Sequence, residues 1–129
     1  MRGNLAEPGG PVVGVVDDDL SLLRALRRLL GSAGFGVTTF ASAEEFLVSS
    51  ERSAVACLVL DVHLGGESGF DLHERLAAAG SRVPVLFITA RDDAGTRERA
   101  RRAGAADYLC KPFDEARFLD AIQRALDRR

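Results

Sequence analysis

Short runs of apolar residues alternate with longer amphipathic segments along most of the chain. Runs of this kind, closed sharply by polar residues, are typical of strands buried on both faces. They predict strands at about residues 12–16, 37–40, 56–60, 83–88 and 105–110. After four of the runs apolar residues recur at helical spacing, and after the run at 83–88 comes a segment rich in arginine and alanine, so five helices are predicted. Right-handed crossovers then give an α/β fold, with a parallel sheet covered by helices on both faces.

Capping signals locate several of the helix starts. Ser42 and Glu45 form a capping-box pattern, in which Ser42 accepts from the backbone of Glu45 and Glu45 reaches back to Ser42. Asp92 or Asp93 is expected to cap the fourth helix and Asp114 the fifth. The fourth helix has almost no large apolar residue, so we expect it to pack most weakly and to be the element that moves.

Length and composition fit a single globular domain. The 129 residues are 47% hydrophobic and 28% charged, with a net charge of −2, and the basic residues are dispersed. Residues 1–11 are interpreted as a flexible leader and residues 12–127 as the domain. There is no signal-peptide pattern and no apolar run near the roughly 20 residues that span a bilayer. We therefore expect a cytoplasmic protein without membrane contact, in which Cys57 and Cys110 are buried, inert thiols.

Polar residues that could carry chemistry follow four of the predicted strands. Asp17 and Asp18 follow the first strand and Asp61 the third, whereas Thr89 and Lys111 end the fourth and fifth. Because the carboxyl ends of parallel strands share one edge of a sheet, these groups are expected to face one crevice. Three carboxylates repel one another and need more positive charge than one lysine supplies. Oxygen ligands favour a hard cation, so Mg²⁺ is the expected metal.

This crevice would suit phosphoryl groups, because their transfer depends mainly on positioning and on neutralising the charge of the phosphoryl oxygens. Asp61 ends a central apolar strand and is the best placed nucleophile. Thr89 and Lys111 would each bind a phosphoryl oxygen.

Four segments of the chain resemble the receiver domain of two-component response regulators, the CheY-like family. They are Val15-Val16-Asp17-Asp18, Leu58-Val59-Leu60-Asp61, Phe87-Ile88-Thr89-Ala90 and Tyr108-Leu109-Cys110-Lys111-Pro112-Phe113. The resemblance implies a doubly wound, flavodoxin-like (βα)5 fold with five parallel strands in the order 2-1-3-4-5. It also implies a phosphoprotein that relays signals and catalyses only its own phosphorylation and dephosphorylation.

The resemblance assigns roles to the acidic residues. Asp61 would accept a phosphoryl group from the phosphohistidine of a sensor histidine kinase or a phosphotransfer protein. Asp18 would bind Mg²⁺ directly and Asp17 through water. Asp61 and the backbone carbonyl of His63 would be further ligands of the ion.

The resemblance also implies a switch that reads out phosphorylation. Thr89 and Lys111 would move toward the phosphoryl oxygens, and Tyr108 would turn inward as Thr89 moves. Phosphorylation would shift the population between two conformations and so change the surface formed by the fourth helix, the fifth strand and the fifth helix. A homodimer through this surface is a candidate assembly. The bond between Lys111 and Pro112 is expected to be cis, as is usual in this family.

Three positions bear on how this chain differs from the family pattern. Gly65 stands where the family usually has proline, so the loop after Asp61 is expected to be less restrained. His63 and Arg91 occupy the positions, two residues beyond Asp61 and Thr89, that in this family tune dephosphorylation by controlling access of water. We hypothesise that this bulky pair slows hydrolysis.

Other functions stay open at this point. One is an inactive receiver-like interaction module, and another is a Mg²⁺-dependent aspartate phosphatase of the haloacid-dehalogenase type, which wants a second acid where this chain has His63. A flavin-binding module would need a glycine loop after the first strand. Asp17 and Asp18 could instead merely cap the first helix. Residues 40–47 resemble receivers that precede a helix-turn-helix, so DNA binding would need an effector domain outside this chain.

Overall fold

The computed structural model of the protein describes residues 10–128, so most of the leader predicted at residues 1–11 lies outside the described residues. Strands and helices alternate through this part of the chain. The strands are β1 (Val12–Val16), β2 (Gly36–Phe40), β3 (Val55–Asp61), β4 (Val85–Thr89) and β5 (Asp107–Cys110). The helices are α1 (Leu20–Ser32), α2 (Ala43–Val48), α3 (Gly69–Ala78), α4 (Ala94–Arg102) and α5 (Glu115–Arg128).

The strands form one parallel sheet in the order β2-β1-β3-β4-β5, which confirms the predicted topology. Its register aligns the carboxyl ends of the central strands. Asp61 of β3 lies beside Ile88 of β4, and Thr89 of β4 lies beside Cys110 of β5. Residues that follow these strands therefore lie at one edge of the sheet.

Helices cover both faces of the sheet. The core on one face is built with α1 and α5, and the core on the other face with α2, α3 and α4. Burial on both faces explains why β3 and β4 are continuous apolar runs. Cys57 in β3 is buried as predicted, but Cys110 is exposed, because β5 is an edge strand and this residue is its last. None of the helices in residues 10–128 is long and apolar enough to cross a bilayer.

Two strands begin later than the sequence predicts. β4 starts at Val85, after Pro84, because proline has no N–H group to donate to the sheet. β5 starts at Asp107, because the N–H of Ala105 donates to the carbonyl of Ala100 (3.2 Å) and so belongs to the end of α4. Both corrections shorten a strand at its amino end and leave the carboxyl edge in place.

The capping predictions are confirmed with one change. Ser42, Asp93 and Asp114 each accept a hydrogen bond from a backbone N–H in the first turn of α2, α4 and α5. The carboxylate of Glu45 accepts from the N–H of Ala41 (3.0 Å), one residue earlier than the predicted Ser42. Side-chain hydrogen bonds therefore hold the backbone on both sides of the capping residue Ser42, at Ala41 and at Glu45.

Candidate functional site

Three carboxylates meet where β1 and β3 end. Asp17 directly follows β1 and is fully buried, Asp61 is the last residue of β3 and is 5% exposed, and Asp18 is exposed. One oxygen from each carboxylate lies within 4.8 Å of the other two. The structure therefore brings together the acidic residues that the strand pattern places at one edge.

Lys111 reaches this acidic cluster from the segment after β5. Its Nζ lies 2.7 Å from Oδ2 of Asp17 and 3.6 Å from Oδ1 of Asp61. Its backbone N–H donates to the carbonyl of Thr89 (2.7 Å), and the bond to Pro112 is cis, as predicted. The ammonium group thus pairs with two of the three carboxylates, and the cluster keeps an excess of negative charge.

Asp17 points into the cluster because its neighbours hold it there. Its Oδ1 accepts a hydrogen bond from the N–H of Asp19 (2.9 Å), and its Oδ2 accepts from Lys111. Asp19, whose Oδ1 accepts from the N–H groups of Ser21 and Leu22, caps α1. The alternative that Asp17 and Asp18 merely cap this helix is therefore wrong.

Burial and the neighbouring charges together set the pKa of the Asp61 carboxyl. Burial raises the pKa of Asp61 to about 6, and the charge of Asp17 adds to this shift. Lys111 and the N–H of His63, which donates to Oδ1 at 3.4 Å, act in the opposite direction. Burial alone would lower the pKa of Lys111, but its hydrogen bond to Asp17 and the charge of Asp61 raise it.

The donor set fits a hard divalent cation. Within residues 10–128, the candidate side-chain ligands that converge at this edge are the carboxylate oxygens of Asp17, Asp18 and Asp61, and they carry more negative charge than Lys111 balances. Mg²⁺ commonly binds through a few carboxylates and retains water molecules, so a partly exposed set of three suits it. A cation here would also remove the repulsion that raises the pKa of Asp61.

Thr89 ends the neighbouring strand, but its hydroxyl has partners outside the acidic cluster. The side chain is fully buried. Its Oγ1 accepts a hydrogen bond from the N–H of Arg91 (3.0 Å) and donates to the carbonyl of the same residue (3.1 Å). The structure therefore places Thr89 at the predicted edge with its hydroxyl hydrogen-bonded to Arg91 and not to Asp61, and Arg91 is exposed beside it.

Tyr108 is tied to the loop that follows β4. Its hydroxyl donates to Oδ1 of Asp92 (3.2 Å). Arg97 of α4 forms an ion pair with Asp92 and places its guanidinium carbon 5.6 Å from the centre of the Tyr108 ring. Burial and the charge of Asp92 raise the pKa of Tyr108 to about 12, whereas the hydrogen bond from Arg97 lowers the pKa of Asp92.

Sequence reasoning treated Asp92 only as a candidate cap and so missed this network. The available signal was the pair of consecutive acids before α4, where one cap is enough. The structure divides the roles, since Asp93 caps the helix and Asp92 binds Tyr108 and Arg97.

The loop after Asp61 folds back tightly at Gly69, another residue that sequence reasoning missed. The N–H of Gly69 donates to the carbonyl of Val62 (2.8 Å). A Cβ atom at this position would lie 2.3 Å from the carbonyl oxygen of Asp61, so only glycine fits the observed backbone. His63 and Ser68 form an isolated antiparallel bridge across the loop, and His63 is exposed.

Gly65 lies in the same loop with ordinary backbone geometry. It does not use the left-handed region, and a Cβ atom there would meet nothing closer than Oδ2 of Asp18, at 4.0 Å. The position therefore has room for a side chain. The contacts that close the loop lie instead at its far end, around Gly69.

Comparisons with known proteins agree with this arrangement. The sequence profile described as "Response regulator receiver domain" matches residues 13–123. Nodulation protein W of Bradyrhizobium diazoefficiens is 43% identical over 117 residues, which are 91% of this chain and 52% of that protein. The chain thus spans about half the length of the curated relatives it matches.

Solved structures give the same result. A response regulator receiver protein from Burkholderia phymatum is 47% identical with a TM-score of 0.80, and the match covers 92% of this chain and 96% of that one. The structure titled "BeF3 Activated DrrB Receiver Domain" is 32% identical with a TM-score of 0.81, covering 91% and 97% of the two chains. Each of these two matches covers more than nine-tenths of this chain.

Proposed function

Because the chain belongs to the family of response regulator receiver domains, we propose that residues 12–127 form a signalling switch that is activated by phosphorylation of Asp61. The donor would be the phosphohistidine of a sensor histidine kinase or a phosphotransfer protein. The observation that carries the proposal is the buried carboxylate of Asp61, which lies beside Asp17, Asp18 and Lys111 at the carboxyl edge of the sheet.

Asp18, Asp61 and the backbone carbonyl of His63 would hold Mg²⁺ directly, and Asp17 would hold it through water. The assignment of Asp17 is supported by its contact with Lys111, which already occupies one of its oxygens. When bound, Mg²⁺ supplies the positive charge that neutralises the carboxylates and the phosphoryl oxygens.

In the transfer step, a carboxylate oxygen of Asp61 would form the new bond to phosphorus as the bond between phosphorus and the donor imidazole breaks. Lys111 is placed to bind a phosphoryl oxygen, because its ammonium group already lies 3.6 Å from Oδ1 of Asp61. Thr89 would have to leave Arg91 to bind another oxygen. The protein catalyses only its own phosphorylation and dephosphorylation in this scheme.

Movement of Thr89 would be transmitted to α4, β5 and α5. The loop that Thr89 now holds through Arg91 continues into Asp92, which binds Tyr108. Only Ala100 of α4 is buried, so this helix has little apolar packing to resist a shift. Phosphorylation would therefore favour a second arrangement of the output surface, with Tyr108 turned inward.

The same surface is our proposed homodimer contact. The groove between α4 and β5 has a volume of about 400 Å³ and carries both signs of charge, from Arg97, Arg101, Glu98 and Asp107. A two-fold contact could therefore pair unlike charges. We further propose that the protein acts in the cytoplasm and that its output, including DNA binding, resides in an effector region outside these 129 residues.

Mg²⁺-dependent phosphorylation tests this function. With Mg²⁺ and a small phosphodonor, we expect one phosphoryl group per chain by intact mass, and beryllofluoride should shift the Tyr108 ring resonances. Chelation of Mg²⁺ should abolish both effects. Catalytic turnover of phosphomonoesters would instead indicate the phosphatase, and absence of any Mg²⁺-dependent change would indicate the inactive interaction module.

Replacing His63 and Arg91 together with asparagine and glutamate is expected to speed the loss of the phosphoryl group. Both side chains are exposed at the mouth of the site, where small or acidic groups would admit and orient water better than the present pair. We expect the half-life to fall about tenfold, which corresponds to about 1.4 kcal/mol in the barrier. The measurement is the decay of phosphoprotein after removal of the donor, and similar half-lives for the two proteins would refute the hypothesis.

A further inference from the structure

A cavity lies at the opposite edge of the sheet from Asp61, where β3 and β4 begin. We call it the basal cavity, and its volume is about 470 Å³, within the range of small-molecule sites. Its apolar lining includes Phe46 of α2, Leu76 of α3 and Pro84 before β4. These residues come from separate segments, so the cavity depends on the folded domain.

Two arginines, Arg52 and Arg82, also line the basal cavity, and no acidic residue is among its lining residues. Arg52 and Arg82 make no ion pair or side-chain hydrogen bond with any residue in the described part of the chain. Of the other twelve arginines in residues 10–128, seven do pair with carboxylates: Arg75, Arg97, Arg99, Arg101, Arg102, Arg117 and Arg124. Two exposed arginines thus line one cavity without a partner for their side chains among the described residues.

An adjoining cavity of about 290 Å³ extends this positive region. Arg82 lines both cavities, and the second is lined in addition by Arg128 and His73, again with no carboxylate among its lining residues. This arrangement contrasts with the net charge of −2 of the whole chain. The acidic cluster around Asp61 occupies one edge of the sheet, and uncompensated arginines occupy the other.

We propose that the basal cavity binds a small phosphate monoester with a compact apolar body. The two guanidinium groups match the two negative charges of a phosphate and can bind its oxygens through paired hydrogen bonds. The apolar residues Phe46, Leu76 and Pro84 would contact the body of the ligand. This site is separate from Asp61 and independent of its phosphorylation.

Phenylphosphonate is a suitable probe, because its carbon–phosphorus bond prevents it from acting as a phosphodonor. In a titration without Mg²⁺, we expect amide resonances of Ser53, Gly80 and Ser81 to shift, with a dissociation constant on the order of 1 mM. Arg52→Gln and Arg82→Gln should each weaken binding about tenfold, since each removes a charge-assisted hydrogen bond.

Arg28→Gln is the matched control, because Arg28 is exposed on α1 and lies outside both cavities. It should bind phenylphosphonate as the wild type does, and so should Asp61→Asn. No shift at the three amides, or equal affinity in the arginine variants, would overturn the site. If inorganic phosphate binds as tightly as phenylphosphonate, the proposed contact with an apolar ligand body is wrong. If benzoate binds as tightly as phenylphosphonate, the proposed preference for a dianion is wrong.

Discussion

An Asp61→Asn variant is expected to take up no phosphoryl group and, without divalent cations, to be more stable than the wild type. The first effect follows because an amide cannot replace the attacking carboxylate oxygen. The second follows because the side chain of Asp61 is 5% exposed and close to the charge of Asp17. Function and stability should therefore change in opposite directions.

The size of the stability gain can be bounded from the pKa of Asp61. Its rise from 3.8 to about 6 corresponds to about 3 kcal/mol of unfavourable free energy when the group is ionised. The amide of asparagine also needs hydrogen-bond partners at this buried position, and an incomplete set of partners would reduce the gain by about 1 kcal/mol. We therefore expect the free energy of unfolding to increase by about 2 kcal/mol at pH 7 in EDTA, measured by urea denaturation.

The pH dependence of this gain has a defined sign. The folded-state pKa of Asp61 is raised, so the penalty is absent below the unfolded value of 3.8 and is complete above about 6. The stability difference between Asp61→Asn and the wild type should therefore increase as the pH rises from 3.8 to about 6. Saturating Mg²⁺ should stabilise the wild type and close the difference at pH 7.

Asp127→Asn is the control for both effects, because Asp127 is exposed near the end of α5. It should accept the phosphoryl group as the wild type does and show little change in stability. A wild type that is more stable than Asp61→Asn at pH 7 in EDTA would mean that Lys111 already compensates the charge of Asp61.

The acidic edge could be predicted from sequence because it depends on strand ends alone. Parallel strands deliver the residues that follow them to one edge, and Asp17, Asp61 and Lys111 each follow a clear apolar run. The order of the strands did not follow from these patterns and came from the resemblance to the receiver family. Periodicity describes each element separately and carries little information on which strands are neighbours.

Contacts made by loops could not be predicted in the same way. The hydroxyl of Thr89 bonds to Arg91, and the hydroxyl of Tyr108 bonds to Asp92, through rotamers that the sequence does not specify. The starts of β4 and β5 were also misplaced, because apolar residues continue into the segments before each strand. Hydrogen bonding, and not hydrophobicity, decides where those strands begin.

Gly69→Ala is expected to destabilise the domain by about 3 kcal/mol, because the new Cβ atom would lie 2.3 Å from the carbonyl oxygen of Asp61 and would displace backbone. The affected backbone carries the phosphoacceptor, so phosphorylation should slow as well. Gly66→Ala, in the same loop with nothing within 4 Å of its Cβ position, should change stability by less than about 0.5 kcal/mol. Urea denaturation of both variants measures the difference, and similar stabilities would show that the loop can shift away from Asp61 without loss of packing.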